Sequence, residues 1–251
     1  MLRSIFSVIA ILACSATLAL ADAKDDVTAA VQKLAGSGNY SWTTTIAGGF
    51  GAGSTEGKTL NGLTYVTLAL RNNDFEVYVK GDKAAIKTAD GWKSAAEILA
   101  DADNGGGGGG GGFSPDMMAA RMTQNYKAPA AQAADMLDKL QNLQAADGAY
   151  SADLTEDAAK QLLTFRRRPS ADANAGPQIS NAKATIKLWI ADGALSKSEI
   201  HVTGTVSFNG NDRDIDRTTT VEFKDVGSTT IDVPAEAQAK LDAPTSQPAA
   251  Q

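Results

Sequence analysis

The stretch that most constrains this chain runs from Ala182 to Val233. It contains KATIKLWI, a DG pair, LSKSEIHVTGTVSF, an NGND turn, RTTTVEFKDV and finally STTIDVP. Apolar and polar residues alternate along each run with period two, the pattern of a strand with one buried face. Ala184, Ile186, Leu188 and Ile190 fall on one side, and Lys183, Thr185, Lys187 and Trp189 on the other. In the second run Ile200, Val202, Val206 and Phe208 point inward, and Glu199, His201, Thr203 and Thr205 outward; Val221 and Phe223 mark the third. A β-meander ending in a fourth strand over STTIDVP follows.

A second meander is expected over residues 40–89. Tyr40, Trp42, Thr44 and Ile46 share a face, a glycine-rich connection spans Gly48 to Gly57, and strands follow at 63–70, around Phe75, Val77 and Val79, and around Ala84, Ile86 and Thr88. Tight turns at Asn72-Asn73-Asp74, Gly81-Asp82 and Asp90-Gly91 join them. Between the meanders the period becomes helical. Residues 95–100 form a helical fragment, followed by Asn104 and the glycine run 105–112, which loses too much backbone entropy to order cheaply. Ser114-Pro115-Asp116 starts a helix, with Met118, Met122 and Tyr126 on one face. Pro129 opens another reaching about Leu143, with Ala133, Met136, Leu137, Leu140 and Leu143 apolar. A short strand at 149–154 and a helix capped by Asp153 or Thr155 complete the middle. A short helix over 26–34 and another after Pro234 flank the strands.

Each meander alone would expose an apolar face. The expected architecture is therefore α+β: one curved antiparallel sheet, a half-open β-barrel, with the middle helices covering its concave side. The domains are a signal peptide (1–21), one domain (22–241) with a flexible glycine-rich loop at 104–112, and a disordered tail (242–251).

Met1-Leu2-Arg3, the apolar run IFSVIAILACSATLAL and Ala19-Leu20-Ala21 form the parts of a secretory signal peptide cleaved after Ala21. Ile11-Leu12-Ala13-Cys14 gives the alternative of lipidation at Cys14. Cleavage after Ala21 removes the chain's single cysteine, and with it disulfides and thiolate chemistry. The expected location is across the inner membrane, in the periplasm. A net charge of −6 argues against nucleic acid as a partner, since that requires a basic footprint.

Residues that could carry chemistry read as structural. Ala52 to Thr59 (AGSTEGKT) fits a relaxed P-loop, but a β-patterned run follows where the phosphate-binding helix should begin, so no nucleotide is expected. His201 is the single histidine and takes a solvated strand position. Asp212, Asp214 and Asp216 alternate as calcium ligands can, yet the glycine and the closing Glu of such a loop are missing; Phe223 stands in the Glu's place. Arg166-Arg167-Arg168 ends a helix, where cations suit the macrodipole, and also suits contact with anionic head groups or a partner. No catalytic residue, metal or cofactor is expected, and the chain reads as a non-enzyme. Methionines suit adaptable apolar pockets, and Met118, Met122, Met136, Leu140 and Trp42 are the candidate ligand-lining residues.

The signal peptide, the Tyr40-x-Trp42 strand, the Asp90-Gly91-Trp92 turn, the helical middle and the hairpin from Trp189 to Glu199 together resemble the LolA/LolB-like periplasmic lipoprotein carriers and their mycobacterial lipoprotein relatives. The hairpin carries the residue-level likeness; the rest is element order. The resemblance implies a concave sheet able to hold acyl chains under helices, with a lipid or a lipoprotein as partner. The alternative is a structural or interaction component of the cell envelope, solid inside, whose partner is an envelope protein.

Overall fold

A computed structural model describes residues 15–49, 52–70, 73–103, 114–124, 126–164, 177–208 and 210–243. Cys14, the glycine run 105–112, Arg166 to Arg168 and the tail beyond 243 lie outside them, as does most of the expected signal peptide. Among the described residues there are eleven strands and six α-helices. The strands are β1 (Asn39–Gly48), β2 (Gly53–Leu60), β3 (Leu63–Leu70), β4 (Asn73–Lys80), β5 (Lys83–Thr88), β6 (Gly91–Ser94), β7 (Leu140–Ala146), β8 (Ala149–Leu154), β9 (Gln178–Ala191), β10 (Ala194–Phe208) and β11 (Asn211–Lys224). The helices are α1 (Ser15–Ser37), α2 (Ala95–Asp103), α3 (Pro115–Thr123), α4 (Pro129–Met136), α5 (Glu156–Leu163) and α6 (Ala235–Asp242).

All strands join one antiparallel sheet in the order β6-β5-β4-β3-β2-β1-β11-β10-β9-β8-β7. The two meanders are sewn together by β1 against β11, from Ser41 opposite Lys224 to Gly48 opposite Arg217. β6 and β7 are not paired with each other, so the sheet is open. Tight turns with positive φ set the hairpins: Asn61-Gly62, Asp147-Gly148 and Asp192-Gly193 each place both residues in the left-handed region, which matches the twist of the flanking strands.

The register divides the sheet into two faces. On the inner face, Tyr40, Trp42, Val66, Val77, Ile86, Ala152, Ile186, Leu188, Val202 and Phe223 enter one continuous core with α1 to α5. α1 contributes Val27, Val31 and Leu34, and is fixed by Tyr150 Oη donating to Asp26 (2.9 Å) and Lys33 Nζ donating to the Asp192 carbonyl (2.6 Å). α3 and α4 meet the core through smaller groups, Ala119, Ala120 and Thr123 on α3, and Ala130 and Ala133 on α4.

Four expectations are corrected. The helix from Pro129 ends at Met136; after a 3-10 turn (Leu137–Lys139) the chain becomes β7, so Leu140 and Leu143 lie on a strand. The Asp147-Gly148 turn folds β7 onto β8, and that ladder outweighs the helical spacing. The glycine-rich connection 48–57 is replaced from Gly53 onward by β2, paired with β1 along its length. The STTIDVP segment forms no strand. It is an extended strap held by Thr229 N donating to Asn39 Oδ1 (2.8 Å) and by Tyr78 Oη donating to the Asp232 carbonyl (2.8 Å). The helix expected at 26–34 lies in the C-terminal half of the longer α1.

Helical cover is not confined to one face. The strap leads to α6, which packs Ala237 and Leu241 onto Tyr78, Ala85, Tyr65 and Trp92 on the outer face of β3–β6. No helix among the described residues is long and apolar enough to cross a membrane.

Candidate functional site

Burial along the inner face is uneven, and the unevenness outlines a groove. α3 contacts β3, β4 and β5, while α5 contacts β9 and β10. Under these helices the inward side chains are buried: Leu68 and Phe75 on one flank, Val202 and Ala184 on the other. Between the flanks run the upper halves of β1, β2 and β11. Their inward residues, Thr44, Ile46, Thr55, Thr219 and Val221, are only half-buried, as is Ile200 on β10. The register places them side by side: Thr44 opposes Thr55 and Val221, and Ile46 opposes Thr219. The floor is thus a patch of aliphatic groups and threonine methyls.

One end of the groove is closed by aromatics. Tyr40, Trp42 and Phe223 pack together, with ring centroids 5.7 Å apart for Tyr40–Trp42 and 5.8 Å for Tyr40–Phe223. Tyr126, between α3 and α4, lies near Tyr40. Burial pushes its phenol well above the usual tyrosine range, with a smaller push from Tyr40. The residue as a whole is half-buried. Burial also raises Tyr40, against the pull of Thr59 and the Ala130 backbone.

The other end is the rim where Gly48 opposes Arg217. Arg217 opposes the buried Val202 on its other side, so its side chain lies on the inner face. Its Nη2 donates to the Leu162 carbonyl in the last turn of α5 (2.6 Å), where a cation complements the helix dipole. Burial lowers its pKa, and its Nε is buried without a partner. The sheet also splays beside the floor. β2 pairs with β3 only from Gly57 to Leu60, and Thr67 Oγ1 donates to the Glu56 carbonyl (3.2 Å) across the widening gap.

The five candidate residues are spread over four elements. Trp42, 3% exposed, closes the aromatic end of the groove. Met136 and Leu140 are half-buried against the core on α4 and β7. Met118 is half-buried on α3, and Met122 is 47% exposed. The floor residues Ile46, Ile200, Val221, Thr44, Thr55 and Thr219 were missed. A signal for them existed in the threonine runs 43–45 and 218–220, which put polar-edged β-branched residues where neighbouring strands carry Val or Ile. The histidine and the alternating aspartates lie away from the floor. His201 Nε2 meets Asp216 (2.9 Å) and Thr205 donates to Asp214 (2.8 Å), all on the outer face of β10–β11. The Ala52–Thr59 stretch forms β2 rather than a phosphate-binding turn and helix.

Fold and groove define an α+β protein with an open antiparallel sheet and a helix-flanked inner face. The sequence matches no family model and no curated protein. Among solved structures the chain is similar to lipoprotein LppX of Mycobacterium tuberculosis, at 11% identity and a TM-score of 0.43 over 84% of this chain and 98% of that one. It is also similar to LprF of Mycobacterium bovis, at 12% identity and a TM-score of 0.41 over 86% and 98%.

Proposed function

We propose that this chain is an exported, non-enzymatic binding protein that holds an acyl chain, of a lipid or a lipoprotein, along the inner-face groove. The carrying observation is the contiguous row Thr219, Val221, Ile46 and Ile200, inward-facing and half-buried at the centre of the sheet, between the strands packed under α3 and those packed under α5. A folded chain normally buries such a strip, and a ligand that covers it recovers roughly 25 cal/mol for each Å² of apolar surface removed from water. The groove also has a direction. From Arg217 to Phe223 along β11 is six residues, or roughly 20 Å at about 3.3 Å per residue, long enough for an extended hydrocarbon chain.

The cover is built to move. Burying a Val or Leu contributes about 1.5–3 kcal/mol, and each buried methylene about 0.8 kcal/mol. α1, anchored by Val27, Val31 and Leu34, is therefore held harder than α3 and α4, whose buried contacts are mostly alanines. A ligand can lift the α3–α4 cover at lower cost than it could displace α1.

Saturable binding of a neutral fluorescent fatty-acid ester tests the reading. Val221→Trp and Thr219→Trp fill the floor and should weaken binding about tenfold or more while leaving the fold intact. The competing reading, a solid envelope component, draws on the Tyr40–Trp42–Phe223 packing. It requires that the ester not bind, or that both tryptophan variants bind it as the parent does.

A further inference from the structure

We propose that Arg217 anchors an anionic head group, a carboxylate or a phosphate, whose hydrocarbon chain runs along the groove floor. This rests on the reading of the groove as an acyl-chain site and specifies which amphiphile it takes. The first observation is charge segregation. On the inner face of β1–β4 and β8–β11, the ionised side chains among the described residues are Arg213 and Arg217. Every described acid of these strands points the other way: Glu56, Asp74, Glu76, Asp153, Glu199, and the β11 acids at 212, 214, 216 and 222. In a chain of net charge −6, this segregation of strand charges by sheet face is a directed arrangement.

The second observation is an incomplete hydrogen-bond set. A guanidinium has five N–H donors. One bond from Arg217 goes to the Leu162 carbonyl (2.6 Å), Nε is buried and unpartnered, and no described carboxylate lies within ion-pair distance. An unsatisfied buried donor on a charged group is costly. An oxyanion accepting from the Nη N–H groups of the guanidinium supplies the missing counter-charge. The third is position. Arg217 stands at the end of the β1–β11 ladder, opposite Gly48 and two residues from Thr219 on the same face, so a head group held there lays its chain over Thr219 and Val221 toward Phe223. The aromatic end, where Trp42 and Phe223 are buried, receives the chain terminus.

The experiment compares palmitate, its methyl ester, hexadecyl phosphate and phosphatidylglycerol by calorimetric titration of the full chain, with inorganic phosphate as a head-group control. The expected result is that the anionic chains bind about tenfold or more tighter than the ester. R217Q should abolish that preference, so that palmitate and its ester bind the variant alike, and R217K should retain part of it. The tighter of palmitate, hexadecyl phosphate and phosphatidylglycerol identifies the source of the oxyanion. Equal affinity for palmitate and ester in the parent protein overturns the proposal, whether or not R217Q folds. So does a preference that survives R217Q. If the ester binds and the anion adds nothing, the head-group site alone falls. If no chain binds, the groove reading falls and takes this proposal with it.

Discussion

The indole of Trp42 lies against the backbone of Gly57, its cross-strand neighbour, so closely that a Cβ at Gly57 would stand 2.1 Å from a ring carbon. Gly57 is also where β2 leaves β3, since the β2–β3 ladder starts at Gly57 opposite Val66. A single glycine therefore seats the aromatic end of the groove at the point where the sheet opens. Gly57→Ala should force the ring away and destabilise the protein by about 1–3 kcal/mol, the usual range for overpacking. Urea unfolding followed by tryptophan emission measures both the loss and the ring's new surroundings. An unchanged midpoint and spectrum would show that the contact is dispensable.

The helical cover should open before the rest of the inner face. In hydrogen exchange, amides of α3 and α4 are expected to exchange faster than those of the α1 segment 27–34, because opening them exposes alanines rather than Val and Leu. Ser114 accepts from the Met117 amide (3.1 Å) and caps α3. Ser114→Ala should cost about 1 kcal/mol and accelerate exchange in α3 selectively. Uniform exchange across α1, α3 and α4 would contradict the loose-cover account.

The outer-face strap should loosen in acid. Glu97 accepts from Lys240 at 2.8 and 3.0 Å, joining α2 to α6. The Lys240 bond foremost, with the Ser94 backbone amide, holds the Glu97 carboxyl below its ordinary value of 4.5. A depressed carboxylate contributes stability above its unfolded-state pKa and loses it as pH falls through the folded value. The window therefore lies below about pH 4.5. Both groups are partly exposed, so the effect is at most about 1 kcal/mol. Protease sensitivity of residues 229–243 should rise below that pH in the parent protein and already be raised at neutral pH in K240A. A strap equally protected in both would refute the tie.

The sheet was legible where side chains alternate and poorly legible where backbone geometry decides. β9, β10 and β11 appear where Ile186, Leu188, Val202 and Phe223 place them. β7 was hidden because Met136, Leu137 and Leu140 fit a helical stripe; the Asp147-Gly148 turn, with φ of 54° and 74°, overrides that stripe by folding the segment onto β8. β2 was hidden because its inward positions are Gly53, Thr55, Gly57 and Thr59. Small residues there accommodate Trp42 and leave no apolar alternation to read. The 229–233 alternation was real but reported a face without a ladder: Ile231 and Val233 pack on the outer-face core while Thr229 and Asp232 bond across to Asn39 and Tyr78. Of the site, Trp42 was legible as an aromatic on an inward face. The half-buried floor was not, because it depends on where α3 and α5 stop.

The α1 attachment offers a separate check on the frame around the groove. Tyr150→Phe removes the hydrogen bond to Asp26, and should cost about 0.5–1.5 kcal/mol while leaving ester binding unchanged, because Tyr150 on β8 lies outside the floor. A large loss of binding with little loss of stability would move the ligand toward β8.

The most direct test of the central claim is photo-crosslinking with a fatty acid carrying a diazirine near its chain terminus, followed by peptide mapping. The groove account predicts labelling concentrated on the peptides bearing Thr44–Ile46 and Thr219–Phe223, suppressed by excess unlabelled palmitate and by Val221→Trp. Labelling that is absent, spread over the surface, or centred on the outer-face residues Tyr65, Tyr78 and Trp92 would contradict it.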